Sequence, residues 1–164
     1  MSDCCSFLSI MLVRLVPEGG PLMRIVVVTG MSGAGKQTAL KVFEDAGYYC
    51  IDNLPVMLVT KFVELACSGN KNVHNIAMGV DVRNGDGFSE FESVLDTLKS
   101  QNYDYEILFL EAENEVLVKR YKETRRNHPL AGEHRVMEGI IKEREEIAFL
   151  KKRANYIIDT TNLL

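Results

Sequence analysis

The sequence lacks the features that mark several common protein classes. Its four cysteines show neither paired spacing nor the density of a disulfide scaffold, and its three histidines are scattered, so neither zinc nor disulfides are expected. Acidic residues outnumber lysine and arginine by 23 to 19, which argues against a general nucleic-acid or membrane-surface binder. The early apolar run from Phe7 to Val13 is far shorter than the roughly 20 residues that span a bilayer. These absences favour a cytoplasmic protein with reduced thiols.

The remaining composition is that of one ordinary globular domain. Hydrophobic residues make up 46% of the chain and charged residues 26%, which is enough for a sizeable core. Residues 1–22 contain a Pro/Gly turn and lack the basic start of a signal peptide, so we interpret them as an N-terminal extension. The predicted domain runs over residues 23–164.

From Arg24 onward, apolar strand patterns alternate with amphipathic helical patterns. The predicted strands are Ile25–Thr29, Tyr48–Ile51, Asn75–Val82, Tyr105–Leu110 and Tyr156–Asp159. The predicted helices run from about Gly35 to Ala46, from Pro55 with Met57, Leu58, Phe62 and Leu65 on one face, over Phe88–Leu98, from Asn114 to Thr124 and from Glu133 to Arg153. This alternation predicts a three-layer α/β/α sandwich with a mainly parallel five-stranded sheet, whose ligands bind at the carboxyl ends of the strands.

The most informative stretch is GMSGAGK, which lies between the first predicted strand and the first predicted helix. It fits the pattern of a phosphate-binding P-loop, in which glycines without Cβ atoms let backbone N–H groups point at phosphate oxygens. The side chain of Lys36 is expected to reach the β- and γ-phosphates. The predicted nucleotide-binding residues here are Gly30, Met31, Ser32, Gly33, Ala34, Gly35, Lys36, Gln37 and Thr38.

The residue after the P-loop lysine departs from this pattern. A serine or threonine there normally holds Mg²⁺ through its hydroxyl, whereas this chain has Gln37. Thr38 comes one residue late, and a shift of one residue turns a side chain by about 100° around a helix. Mg²⁺ is therefore expected to be held through the amide oxygen of Gln37, or mainly by phosphates, water and a carboxylate.

Four carboxylates lie at the carboxyl ends of predicted strands, namely Asp52, Asp81, Glu111 and Asp159. Asp81 follows an apolar strand as a Walker B acid does, and we predict that it holds Mg²⁺ together with Gln37. Asp52 is the candidate base that orients a nucleophile. Any one of the four could instead cap a following turn or helix.

Arginines form a further cluster in RYKETRRNHPL, with Arg120 in the predicted helix and Arg125 and Arg126 just after it. Arginines placed in this way can close over a triphosphate and stabilise charge at the γ-phosphate. A helix C-terminus also favours cations without any ligand, so both interpretations stay open. The candidate catalytic residues are Lys36, Asp52 and Arg125.

Six stretches, in their order along the chain, resemble the RapZ/YvcJ family of P-loop nucleotide-binding proteins. They are GMSGAGKQTAL, FEDAGYYCIDNLP, VDVRN, LFLEA, RYKETRRNHPL and IIDTT, and the similarity runs from about Met23 to the end of the chain. The resemblance implies a kinase-like P-loop NTPase fold, ATP binding at Gly30–Gln37 and slow nucleotide hydrolysis, as in some members. It also implies GTP binding at Asp81, Val82, Arg83 and Asn84.

The resemblance covers only the first half of the family's length. Members continue into a second domain of similar size, which in the RNase adapter members is associated with small-RNA binding and oligomerisation, so no RNA binding is expected from this chain. The predicted function is binding of ATP and GTP with Mg²⁺, with slow hydrolysis, as a regulatory input to a protein partner. The alternatives are a small-molecule or nucleotide kinase that transfers the γ-phosphate, and a non-catalytic module that senses nucleotide.

Overall fold

The computed structural model describes residues 24–69, 75–81, 87–124, 128, 130 and 136–163, so the predicted N-terminal extension lies outside the described residues. Five strands form one parallel sheet in the order β2-β3-β1-β4-β5. The strands are β1 Arg24–Gly30, β2 Tyr49–Pro55, β3 Asn75–Asp81, β4 Tyr105–Glu111 and β5 Tyr156–Asp159. The predicted fold class, an α/β architecture around a five-stranded parallel sheet, is confirmed.

Six α-helices connect and cover the strands in the described part of the chain. They are α1 Lys36–Asp45, α2 Val59–Gly69, α3 Gly87–Ser100, α4 Asn114–Thr124, α5 Val136–Glu146 and α6 Ala148–Arg153. Helix α1 packs on β1, β2 and β3, whereas α6 packs on β1 and β4. The central strand β1 is buried throughout Ile25–Gly30, as its continuous β-branched run predicts for a strand covered on both faces. None of these helices is long and apolar enough to cross a bilayer.

The second strand is longer than the predicted Tyr48–Ile51. It continues to Pro55, with a register irregularity between Ile51 and Leu54, and Asn53 has a positive φ of 55°. Pairing with β3 resumes after this bulge, so Pro55 ends the strand and is also the N-cap of the short 3₁₀ turn that follows it, before any α-helix begins. The bulge leaves Asp52 exposed at the edge of the sheet where the P-loop lies.

The segment after Pro55 buries a different face from the apolar face expected. A short 3₁₀ turn, Val56–Leu58, precedes α2, so the first residues do not follow α-helical spacing. The side chains of Met57, Leu58 and Leu65 are exposed. The residues of this segment that are fully buried in the core are Val56, Val59 and Val63. Of the expected face, only Phe62 is partly buried against the core.

The predicted helix Glu133–Arg153 is two helices over the residues that the structure describes. The break falls at Ile147, which has φ −100° and ψ 7° and whose side chain is buried. Because this position carries neither proline nor glycine, the break has no local sequence signal of the usual kind. It redirects the chain so that α6 lies against β1 and β4.

Candidate phosphate-binding site

The loop between β1 and α1 has the conformation that its glycines predict. Gly30, Gly33 and Gly35 have φ angles of 127°, 83° and 98°. A Cβ atom on Gly30 would lie 2.0 Å from the backbone oxygen of Leu110, so only glycine fits beside β4 at this position. The N–H group of Met31 then donates to that same oxygen at 2.9 Å, and the N–H group of Ala34 donates to Met31 at 3.1 Å. The result is a compact strand-loop-helix unit at the carboxyl end of the sheet.

Lys36 folds back over this loop. Its Nζ atom donates to the backbone oxygens of Gly30 at 2.7 Å and Met31 at 3.0 Å. Helix α1 begins at Lys36, and its first helical hydrogen bond runs from Ala39 to Gly35 at 3.0 Å. The N–H groups of the first turn precede that bond, and a helix N-terminus of this kind attracts phosphate.

The loop has an outer and an inner side. Gly33 and Gly35 are exposed, whereas Met31, Ser32 and Ala34 are buried. The N–H group of Ser32 lies 3.1 and 3.2 Å from the two carboxylate oxygens of Glu143, and its hydroxyl donates to Oε1 at 2.6 Å. Ser32 therefore uses its backbone and side-chain donors inside the protein.

Gln37 lies beside Asp52. The Gln37 Nε2 atom donates to Oδ2 of Asp52 at 3.1 Å, and the other carboxylate oxygen accepts the N–H group of Asn53 at 2.8 Å. Gly79 on β3 leaves space for this carboxylate, because a Cβ atom there would lie 2.7 Å from Oδ1. Gln37, Asp52 and the neighbouring Thr38 are all exposed. The structure therefore brings the residue after the P-loop lysine to the candidate base.

Asp81 is the last residue of β3, and its backbone pairs in register with Pro55 of β2. The predicted GTP-binding residues that follow it, Val82, Arg83 and Asn84, lie outside the described residues. Within the part of the chain that the structure describes, no three His, Cys, Asp or Glu side chains form a metal-binding group. The Gln37 amide and the Asp52 carboxylate lie together beside the loop, and oxygens of these two types are ligands that Mg²⁺ prefers.

The two other strand-end carboxylates make local structural contacts. Both oxygens of Glu111 accept from Lys151 Nζ at 2.8 Å, and one lies 3.4 Å from Arg144. Asp159 accepts the N–H group of Thr161 at 2.8 Å, and hydrogen bonds with Thr161 lower the pKa of this carboxyl. Asp159 therefore caps the turn after β5, which is the structural alternative considered for it.

Arg120 connects helix α4 to the P-loop and to the segment after β5. Its guanidinium donates to the backbone oxygens of Gly33 at 3.1 Å, Thr160 at 2.6 Å and Leu163 at 3.2 Å. These contacts support the loop from α4. Arg125 and Arg126 lie outside the described residues.

Two residues of this neighbourhood, His128 and Glu143, were not predicted. Their side chains are 0% and 1% exposed, and His128 Nε2 lies 3.0 Å from Glu143 Oε2. A signal for Glu143 was present, because it falls on the same helical stripe as the buried Ile140 and Ile147. An acidic residue inside an apolar stripe indicates a buried partner.

The strand, the glycine loop and the helix that begins at its lysine define a P-loop fold. Solved structures share it, although at identities that establish the fold alone. Shikimate kinase from Bacteroides thetaiotaomicron matches with a TM-score of 0.52 at 20% identity, over 84% of this chain and 86% of that chain. Shikimate kinase from Acinetobacter baumannii, in complex with shikimate, gives 0.56 at 14% identity over 85% and 84%.

The particular family is RapZ-like. The model of the RapZ-like N-terminal domain matches residues 23–164, and the chain belongs to this family. Proteins called nucleotide-binding protein match at 57% identity in Agathobacter rectalis and 56% in Lachnoclostridium phytofermentans, each over 87% of this chain. The chain spans about half the length of these curated relatives, 49% and 50% respectively. The chain therefore belongs to the RapZ-like family and has the fold that it shares with the two shikimate kinases.

Proposed function

We propose that this chain binds ATP and GTP with Mg²⁺ and hydrolyses them slowly. The observation that carries the proposal is the position of the Lys36 ammonium, which lies 2.7 and 3.0 Å from two backbone oxygens of the glycine loop. A cation held over a loop with three positive φ angles is positioned to meet the β- and γ-phosphates without rearrangement of the fold.

Different groups of the chain have separate roles around the phosphates. The exposed side of the loop, at Gly33 and Gly35, and the N-terminus of α1 bind phosphate oxygens, while Lys36 balances their charge. Asp52 orients the attacking water, and Gln37 fixes the Asp52 carboxylate and offers its amide oxygen to the metal. Mg²⁺, when bound, neutralises charge on the β- and γ-phosphates.

The guanine-nucleotide part of the proposal rests on the resemblance of Asp81, Val82, Arg83 and Asn84 to the family motif. The parallel sheet supports guanine-nucleotide binding there, because β3 pairs in parallel with β1 and both strands end at the same edge of the sheet, where the P-loop lies. The nucleotide state would serve as a regulatory input to a protein partner. The excess of acidic residues gives no support for RNA binding, and we propose none for this chain.

Removing the Lys36 ammonium tests the proposal. Lys36→Ala is expected to lose at least about tenfold in affinity for labelled ATP and GTP. The melting temperature should fall only slightly, because the variant loses two hydrogen bonds to the loop but no core side chain. Lys41→Ala is the matched control, since Lys41 is an exposed lysine on the same helix, about 1.4 turns after Lys36. Undiminished affinity in Lys36→Ala would refute the P-loop assignment.

A phosphotransferase is the second candidate, and the position of Asp52 favours it. Its exposed carboxylate lies 3.1 Å from Nε2 of Gln37, the residue that follows the P-loop lysine. At this position the carboxylate could accept a proton from a substrate hydroxyl as well as from water. A panel of hydroxyl acceptors distinguishes the two activities. A kinase would consume ATP much faster with one acceptor and form a phosphorylated product, whereas a slow hydrolase would release phosphate at the same rate with all of them.

A further inference from the structure

A buried carboxylate lies under the P-loop. Glu143 of α5 is 0% exposed and accepts three donors: the N–H group and the hydroxyl of Ser32, and the ring of His128. Ser32 and Glu143 are 111 positions apart in the sequence. The contact therefore connects the loop to a helix that lies far from it in the sequence.

His128 presents a defined face to this carboxylate. Its Nδ1 atom accepts the N–H group of Leu130 at 3.1 Å, so the ring proton is assigned to Nε2, which donates to Glu143 at 3.0 Å. The ring also packs on Tyr121, with centroids 5.1 Å apart. Tyr121 lies directly behind the loop, because a Cβ atom on Gly33 would be 3.6 Å from its ring.

Burying this carboxylate is costly, and an apolar side chain would continue the stripe of Ile140 and Ile147. The hydrogen bonds from Ser32 and His128 offset that cost only while the loop keeps its present shape. The same shape directs Gly33 and Gly35 to solvent. Fixing it in advance removes an ordering cost that nucleotide binding would otherwise have to meet.

We propose that Glu143, oriented by His128, is a positioning residue for phosphate binding, which acts by holding Ser32 and with it the P-loop. This inference rests on the proposed nucleotide binding, in which Glu143 itself does not touch the nucleotide. It assigns Ser32 the role of connecting the loop to Glu143.

Glu143→Gln removes the charge while keeping the shape. Its amide can accept from Ser32 with one atom only, and the other atom then meets the Nε2–H group of His128 as a second donor. We expect affinity for labelled ATP and GTP to fall by at least about tenfold. Ser32→Ala, which keeps the backbone N–H and loses the 2.6 Å hydroxyl bond, is expected to lose less. The double variant should lose less than the product of the two single losses, because both act through one contact.

The matched control is Glu145→Gln, the same change on an exposed residue of α5, which should bind as the unmodified chain does. The ³¹P spectrum of bound ATP is the readout that a purely structural role would not move. We expect its β-phosphate resonance to shift in Glu143→Gln and to stay in place in Glu145→Gln.

The outcomes separate this inference from the proposed function. If Lys36→Ala loses binding while Glu143→Gln and Ser32→Ala bind normally with unchanged ³¹P spectra, the positioning role is wrong and the P-loop assignment stands. If Glu143→Gln does not fold, Ser32→Ala decides, and unchanged affinity and ³¹P spectrum there overturn the inference. If the unmodified chain shows no nucleotide binding that depends on Lys36, the proposed function fails and this inference falls with it.

Discussion

The side-chain amide of Gln37 donates to the carboxylate of Asp52 at 3.1 Å and so joins the first turn of α1 to the bulge of β2. The residue that replaces the usual metal-binding hydroxyl is therefore engaged with the candidate base. Its two amide atoms can serve different groups, because the nitrogen donates to Asp52 and the oxygen is an acceptor.

Replacing Gln37 by serine should strengthen the binding of Mg²⁺ at this position. The hydroxyl is a direct oxygen ligand, so we expect the Mg²⁺ concentration for half-maximal hydrolysis to fall by about tenfold. Asp81→Asn should raise it, since that change removes a carboxylate charge from the end of β3. The measurement is a Mg²⁺ titration of ATP and GTP hydrolysis at fixed nucleotide. If neither change shifts the midpoint, the metal is held by other groups.

Gly79→Ala should displace Asp52 without breaking the fold. The added Cβ atom would lie 2.7 Å from the Asp52 carboxylate and 3.1 Å from a methyl group of Leu40, and both are side-chain atoms that can move. We expect a stability loss of about 1 kcal/mol and a fall in hydrolysis similar to that of Asp52→Asn. Thermal melting and steady-state phosphate release measure the two effects. If the Gly79→Ala, Asp52→Asn double variant hydrolyses nucleotide much more slowly than Asp52→Asn alone, the effect of Gly79→Ala does not come from displacing Asp52.

Arg120→Lys distinguishes a structural arginine from one that stabilises phosphate charge. The guanidinium spans three backbone oxygens, on Gly33, Thr160 and Leu163, which a lysine ammonium cannot reach together. We expect the free energy of unfolding to fall by about 2 kcal/mol, as measured by urea denaturation, with hydrolysis by the folded fraction largely kept. Lys122→Ala, an exposed change at the end of the same helix, is the control. A large loss of hydrolysis at unchanged stability would instead favour a role at the γ-phosphate.

The pH dependence of Cys50 alkylation follows from its environment. Burial, with a smaller contribution from Glu44, raises the pKa of the Cys50 thiol to about 11. At pH 8 the thiolate fraction is then about one in a thousand, against about one in four in denaturant, where the pKa is about 8.5. Iodoacetamide should therefore modify Cys50 roughly 200-fold more slowly in the folded chain.

The rate in the folded chain should keep rising until the pH passes about 11, as mass spectrometry of the Cys50 peptide would show. The stability that comes from keeping this thiol neutral is fully present below the unfolded pKa of about 8.5 and is lost as the pH rises through the folded pKa. Equal rates in the folded and denatured chain at pH 8 would contradict the raised pKa.

Local patterns in the sequence were enough to predict much of the fold. The bounds predicted for Asn114–Thr124 agree with α4, and the β-branched run of β1 lies at the centre of the sheet as expected. The P-loop could be predicted for the same reason, because positive φ angles at Gly30, Gly33 and Gly35 are requirements of the local backbone that only glycine meets easily.

What the sequence determined by itself was thus most of the strands and helices and the position of the glycine loop, which depend on neighbours a few residues apart. The alternation of those strands and helices in turn indicated the parallel α/β sandwich. Only the tertiary structure decided that the helix Glu133–Arg153 breaks at Ile147, that β2 bulges at Asp52 and that Glu143 meets Ser32. The last contact joins residues 111 positions apart. Such a contact depends on strand register and on how α5 packs, and periodicity along one segment does not encode either.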